Sequence, residues 1–226
     1  MKKKLTILFL SLLISTAIFS QAKPIDRVSF DHFTTETQFS SDDMDYVQMI
    51  WWLPTEFWKI IYANDPTIGQ DEIDEIVGMV NDQIIAVVIK GKIGMFGGVK
   101  YESFEDLKSH TQVKYKNELL SVVDQNTMNS ELQTLLSIMK PIMANMLGNM
   151  GQNLHFFVFD NPKGRKILPV DALSNDALVF SMDGYSVDVD LPLSSLLLEK
   201  ICPEDKAELN GKWNYCPFHG KKLVIQ

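Results

Sequence analysis

Residues 177–191 read ALVFSMDGYSVDVDL. Asp183-Gly184 suits the paired positive φ angles of a two-residue type I′ turn, and the flanking runs have the length of strands. After the turn Tyr185, Val187, Val189 and Leu191 alternate with Ser186, Asp188 and Asp190, which predicts a hairpin with one buried and one solvated face. Working outward, LHFFVFD at 154–160 is another strand and DNPKG at 160–164 a turn, while VKY at 113–115 and LLSVV at 119–123 are further strands. QIIAVVIKGKIGMFGGVKY at 83–101 reads as a buried strand, a turn near Lys90-Gly91-Lys92 and a second strand weakened by Gly94, Gly97 and Gly98.

Around these strands the period changes to that of helices. SDDMDYVQMIWW, residues 41–52, opens with acids where a helix dipole favours them and stops before Leu53-Pro54. PTEFWKIIYAND at 54–65 supplies a second short helix, and QDEIDEIVGMV at 70–80 puts Ile73, Ile76, Val77 and Val80 on one face. Ser103 with Asp106 opens a short helix. Ser130 with Gln133 reads as a capping box before the longest helix, which runs to about Leu147, kinks at Pro141 and ends at Gly148. Residues 23–41 read as a lead-in or an edge strand. Helices and hairpins are segregated more than alternated, so the expected class is α+β: a helical front half, antiparallel hairpins, one long amphipathic helix and a small C-terminal module.

The chain begins MKKKLTILFLSLLISTAIFSQAKP, three lysines ahead of an apolar run from Leu5 to Phe19, with Ser20 and Ala22 before Lys23. This is the pattern of a secretory signal peptide with a cut before Lys23, and the run is shorter than the ~20 residues of a stable membrane span. The expected organisation is a signal peptide at 1–22, an α+β domain at 23–198 and a module at 199–226. The whole chain carries a formal charge of −8. Loss of Lys2, Lys3 and Lys4 makes it more acidic still, which argues against nucleic acid and acidic membrane surfaces as partners. The mature chain is therefore expected to be exported, to periplasm or beyond, and soluble.

The tail, CPEDKAELNGKWNYCPFHG at 202–220, holds the only two cysteines. It resembles a zinc ribbon, whose knuckles read Cys-Pro-x-Cys-Gly, about ten residues, and Cys-Pro-x-Cys-Gly again. Here Cys202-Pro203-Glu204-Asp205 and Cys216-Pro217-Phe218-His219-Gly220 stand in those places, with ten residues between and Leu223 beyond. Asp205 and His219 replace two of the usual thiolates, and no glycine follows Asp205. The resemblance implies a closed structural site of Cys202, Asp205, Cys216 and His219, all of them donor types that Zn²⁺ accepts. The rival reading is a Cys202–Cys216 disulfide without metal, since an exported chain meets oxidising conditions and a loop of about 15 residues would gain about 3 kcal/mol.

Other patterns have plainer readings. Met139, Met143, Met146 and Met150 suit Cu(I), but they share a stripe with Leu132, Leu135, Leu136, Ile142 and Leu147, as a core-facing helix does. Ser137-Ile138-Met139-Lys140 matches Ser-x-x-Lys yet lies in mid-helix with no Lys-Thr-Gly after it. His155, among Leu154, Phe156, Phe157 and Phe159, reads as a core histidine. Trp51, Trp52 and Trp58 form either core or a platform for a partner or sugar. Two functional expectations follow. The first is an exported non-catalytic protein whose ribbon-like module, holding zinc or crosslinked, stiffens the tail or meets a protein partner. The second is an exported hydrolase-like enzyme, which would need a cleft joining His155 or His110 to a serine or carboxylate.

Overall fold

The structure is a computed structural model, and it describes residues 22–63, 65–160 and 169–225. The leader segment 1–21 and most of the 160–164 turn lie outside the described residues. The chain is α+β. Its strands are β1 (Gln38–Ser40), β2 (Tyr46–Trp52), β3 (Ile84–Ile93), β4 (Val99–Tyr101), β5 (Thr111–Tyr115), β6 (Glu118–Val122), β7 (His155–Asp160), β8 (Leu178–Met182), β9 (Tyr185–Asp188), β10 (Lys200–Ile201), β11 (Glu208–Leu209) and β12 (Val224–Ile225). The α helices are α1 (Phe30–Thr37), α2 (Thr55–Ala63), α3 (Gln70–Val80), α4 (Phe104–Lys108) and α5 (Ser130–Met146). Nine strands make one antiparallel sheet in the order β1-β2-β3-β7-β6-β5-β8-β9, with β4 also on β3; the last three form a separate small sheet, β11-β10-β12.

The centre of the large sheet is covered on both faces. Trp51, Val87 and Phe156 lie opposite one another on one face, and Trp52, Ala86 and Phe157 on the other. Phe57 of α2 packs edge-on against Trp51 at 5.7 Å, whereas Phe104 of α4 packs against Phe157 at 5.0 Å. Helices α2 and α4 therefore sit on opposite faces, with α3 beside α2 and α5 beside α3. A strand buried on both sides has no polar face to alternate with, which is why residues 84–91 are apolar almost throughout and buried.

The same burial overturns the helix expected over 41–52. Residues 46–52 are strand β2, so the front half carries α1 to α3 interleaved with β1 to β3. The acidic prelude is a turn instead of a helix start: Ser41 Oγ accepts from the Asp43 N–H at 3.1 Å, and Asp43 Oδ1 from the Asp45 N–H at 2.8 Å. Val47, Ile50 and the tryptophans then fit a pleated, doubly covered surface better than a helix.

Two smaller corrections have similar causes. β3 runs straight through Lys90-Gly91-Lys92, and the turn comes at Gly94–Gly98, where Gly97 takes φ +79°. Lys90 is there as a buried cation between Glu102 (2.7 Å) and Asp183 (2.5 Å), and Gly91 because a Cβ would stand 2.6 Å from Val99 Cγ1. At α5 the cap is Asn129, whose side chain accepts from the Glu131 N–H at 2.7 Å, while Gln133 donates to the carbonyls of Gln125 and Met128. Residues 30–37, expected as lead-in, form α1 behind Ser29, and β1 is an edge strand as expected.

Three other local signals hold. Ser103 and Asp106 form a capping box at α4, α3 spans 70–80, and Asp183-Gly184 turn with φ of 44° and 82°. Trp51, Trp52 and Trp58 are core, each no more than 2% exposed. No helix among the described residues is long and apolar enough to cross a membrane.

Candidate metal centre

The small sheet hangs from the last turn of the main domain, Ser194–Leu196. Glu36 of α1 fixes that turn by accepting from the N–H groups of Ser194 and Ser195, both at 2.8 Å, and from Ser194 Oγ at 2.6 Å. Burial pushes the Glu36 carboxyl up, but these bonds together hold it below the usual carboxylate value. The module docks through two more contacts: Lys212 reaches the Asp190 carbonyl and carboxylate, each at 2.8 Å, and Gly211 lies against Leu197 and Leu198. Inside the module the buried Lys200 donates to the Trp213 carbonyl at 2.9 Å.

Within the module two knuckles repeat one geometry. Lys206 N–H bonds to Cys202 O at 2.9 Å and Gly220 N–H to Cys216 O at 2.9 Å; Cys202 N–H bonds to Ala207 O at 2.9 Å and Cys216 N–H to Lys221 O at 2.8 Å. Lys206 takes φ +64° and Gly220 φ +62°. The glycine missing after Asp205 is thus replaced by a lysine in the same left-handed conformation, a cost of roughly 1 kcal/mol for a residue with a Cβ. The knuckles enclose a small apolar cluster of Cys202, Cys216 and Leu223 with Ala207 and Leu209 against them, separate from the large core.

Each knuckle turns two backbone N–H groups onto its sulfur, Glu204 and Asp205 onto Cys202, Phe218 and His219 onto Cys216. Burial pushes the Cys202 thiol up, and the Asp205 carboxyl and Cys216 add to the rise against those two N–H groups. Burial acts on Cys216 the same way, but its N–H donors together with the Cys202 and His219 side chains bring it below the ordinary thiol value. His219 Nδ1 stands 3.5 Å from both sulfurs, and one donor atom from each of Cys202, Cys216 and His219 lies within 4.8 Å of the others. Such a group can hold a metal ion. Both cysteines are free thiols in this arrangement. Asp205 sits just outside the trio, its Oδ2 3.8 Å from His219 Nδ1, and it also accepts from the Ala207 N–H at 3.1 Å. The sulfurs are buried, and His219 and Asp205 form the half-exposed rim.

The catalytic alternatives are placed as follows. His155 and Ser137 line one cavity with Lys140, but the ring Nε2 of His155 faces the Glu102 carbonyl at 3.3 Å and Ser137 Oγ donates to the Gln133 carbonyl at 2.8 Å. Burial holds His155 below the usual imidazole value. His110 Nδ1 lies 3.6 Å from Asp183, which is bonded to Lys90. Of the four methionines, Met139 and Met143 on α5 are core, Met146 at its end is exposed, and Met150, beyond the helix, packs against the core. The Lys90–Glu102–Asp183 cluster and the Glu36 clamp have no sequence signature, because their members come from remote parts of the chain. Comparison with known families, curated proteins and solved structures returns no match.

Proposed function

We propose that the C-terminal module is a ribbon-like structural zinc site of an exported, non-catalytic protein, with Cys202, Cys216 and His219 as ligands and Asp205 or a water as the fourth. The paired knuckles carry this reading. Zinc bonds of about 2.3 Å to sulfur and about 2.0–2.1 Å to nitrogen give a tetrahedron whose sulfur–nitrogen edges are about 3.6 Å. Both observed Sγ–Nδ1 separations are 3.5 Å. The nitrogen–oxygen edge would be about 3.4 Å by the same arithmetic, against 3.8 Å for Asp205, so a small side-chain rotation or a water closes the site. At Cys216 the N–H groups and the His219 side chain favour thiolate, the form that binds metal. A closed four-ligand site holds structure and performs no chemistry, and Ser137 and His155 both face backbone carbonyls, which supports a non-catalytic role. Export rests on the lysine-apolar-small pattern of residues 2–22.

A disulfide is the second reading, favoured by the proximity of the two sulfurs; it needs them to close to about 2.05 Å. Native mass spectrometry of the full chain expressed with its leader distinguishes the two and reports the N-terminus. One zinc surviving dialysis and falling in the His219→Ala variant supports the metal site, with Asp205→Ala weakening it least. A mass two hydrogens below the reduced value without metal refutes it, and a retained Met1 on membrane-extracted material refutes export.

A further inference from the structure

Helix α5 is apolar on more than its core-facing side. Ile138, Ile142 and Met146 are exposed, and Glu131, Leu135, Ile138 and Ile142 step along one stripe at spacings of four, three and four. Opposite them, Glu72, Glu75, Ile76 and Met79 make the matching stripe of α3. Between the two helices lies an open depression of about 510 Å³, lined by the apolar Ile68, Ile76, Met79, Leu135 and Ile138 and by the carboxylates of Glu72, Glu75 and Glu131. A second depression of about 340 Å³ shares Glu75, Met79 and Glu131 and extends the trough to Asp82 and Gln83. Among the described residues no lysine or arginine lines either one. Glu75 and Glu131 make no ion pair among the described residues.

We propose that this trough receives a basic amphipathic helix of a partner protein. Its length fits, since the eleven residues of α3 span about 16 Å, or three helical turns. An apolar depression between two helices is the surface into which an amphipathic helix lays its i, i+3, i+4 and i+7 anchors. The charge selects among such helices. Carboxylates from both helices with no cation between them attract lysine and arginine beside the anchors and repel an acidic helix or an anionic lipid surface. First-turn acids alone would mean only favourable helix dipoles, which accounts for Glu72 and Glu131. Glu75 lies in the second turn and beside the exposed apolar stripe, where that explanation does not reach.

The test uses the full chain and a fluorescein-labelled 14-residue amphipathic helix of leucine and lysine, with its leucine–glutamate counterpart as the control, followed by anisotropy. The lysine peptide should bind at least tenfold more tightly than the glutamate peptide, and less tightly as salt rises. Ile138→Asp should cost tenfold or more, and Glu75→Lys or Glu131→Lys severalfold each. Asp188→Lys, an exposed acid on β9 outside the trough, should cost nothing. Ile138 is exposed, so its variants should fold, and Ile138→Ser gives a milder second substitution. Equal losses at Asp188 and in the trough would overturn the proposal, as would unchanged binding in both Ile138 variants. So would a dimer of the wild-type chain that Ile138→Asp dissociates, because a second copy would then be the occupant.

Discussion

Gly211→Ala should loosen the C-terminal module from the main domain. A Cβ at this buried position would stand 2.5 Å from the Leu198 carbonyl oxygen and 2.7 Å from Leu197 Cβ, where ordinary contact begins near 3.4 Å. Neither neighbour is the free end of a side chain. Leu197 N–H bonds to Ser194 O at 3.1 Å, and Glu36 holds the N–H groups of Ser194 and Ser195, so that segment cannot retreat. On the other side Trp213 N–H bonds to Asn210 O and Lys200 to Trp213 O, so the 210–214 turn must move as a unit by roughly 0.7–0.9 Å. Overpacking of this kind costs about 1–3 kcal/mol, and a rigid backbone on both sides places the variant near 2 kcal/mol. For a chain of this size that is a fall in Tm of about 4–8 °C. Hydrogen exchange should speed up at 196–200 and 210–214 while β3 and β7 stay protected. Gly78→Ala is the counterpart control: it is in α3 with nothing within 4 Å of the added methyl, and it should stabilise by about 0.5–1 kcal/mol. A Gly211→Ala protein with Tm within 1 °C of wild type and unchanged exchange would refute the reasoning.

Three further outcomes are expected. Lys206→Gly should be neutral or stabilising by up to about 1 kcal/mol, since it relieves a left-handed residue, whereas Gly220→Lys should cost about 1 kcal/mol; urea denaturation of both variants checks the pair. Glu36→Gln should cost about 1–2 kcal/mol at pH 7, because an amide cannot accept from Ser194 and Ser195 together. Glu36 is held below its unfolded value, so its stabilisation is complete above the ordinary glutamate pKa and fades as pH falls through the folded one; the gap between wild type and variant in urea curves should narrow steadily as pH is lowered below the ordinary glutamate range. Met143→Leu should cost less than about 1.5 kcal/mol and leave any copper response unchanged, while Met143→Ala, at a side chain with no exposed surface, should cost about 2–5 kcal/mol; a Cu(I) affinity lost in the leucine variant would revive a metal role for the stripe.

What the sequence determined by itself was local. Asp183-Gly184 turns where its φ angles require, Ser103 and Asp106 cap α4, α3 occupies 70–80, and the two Cys-Pro knuckles are placed by their spacing, because each feature depends on residues within four or five positions of one another. Cys202, Cys216 and His219 were legible as a donor set because the second knuckle repeats the pattern of the first at a fixed spacing along the chain. Tertiary structure decided the rest. Residues 46–52 became a strand because the sheet and the helices cover both of their faces, a fact no local period records. Lys90 lies inside β3 because carboxylates at 102 and 183 arrive to neutralise it. Where an interaction closes within one turn of chain, composition and spacing suffice; where its partners are a hundred residues apart, burial and charge pairing choose the conformation.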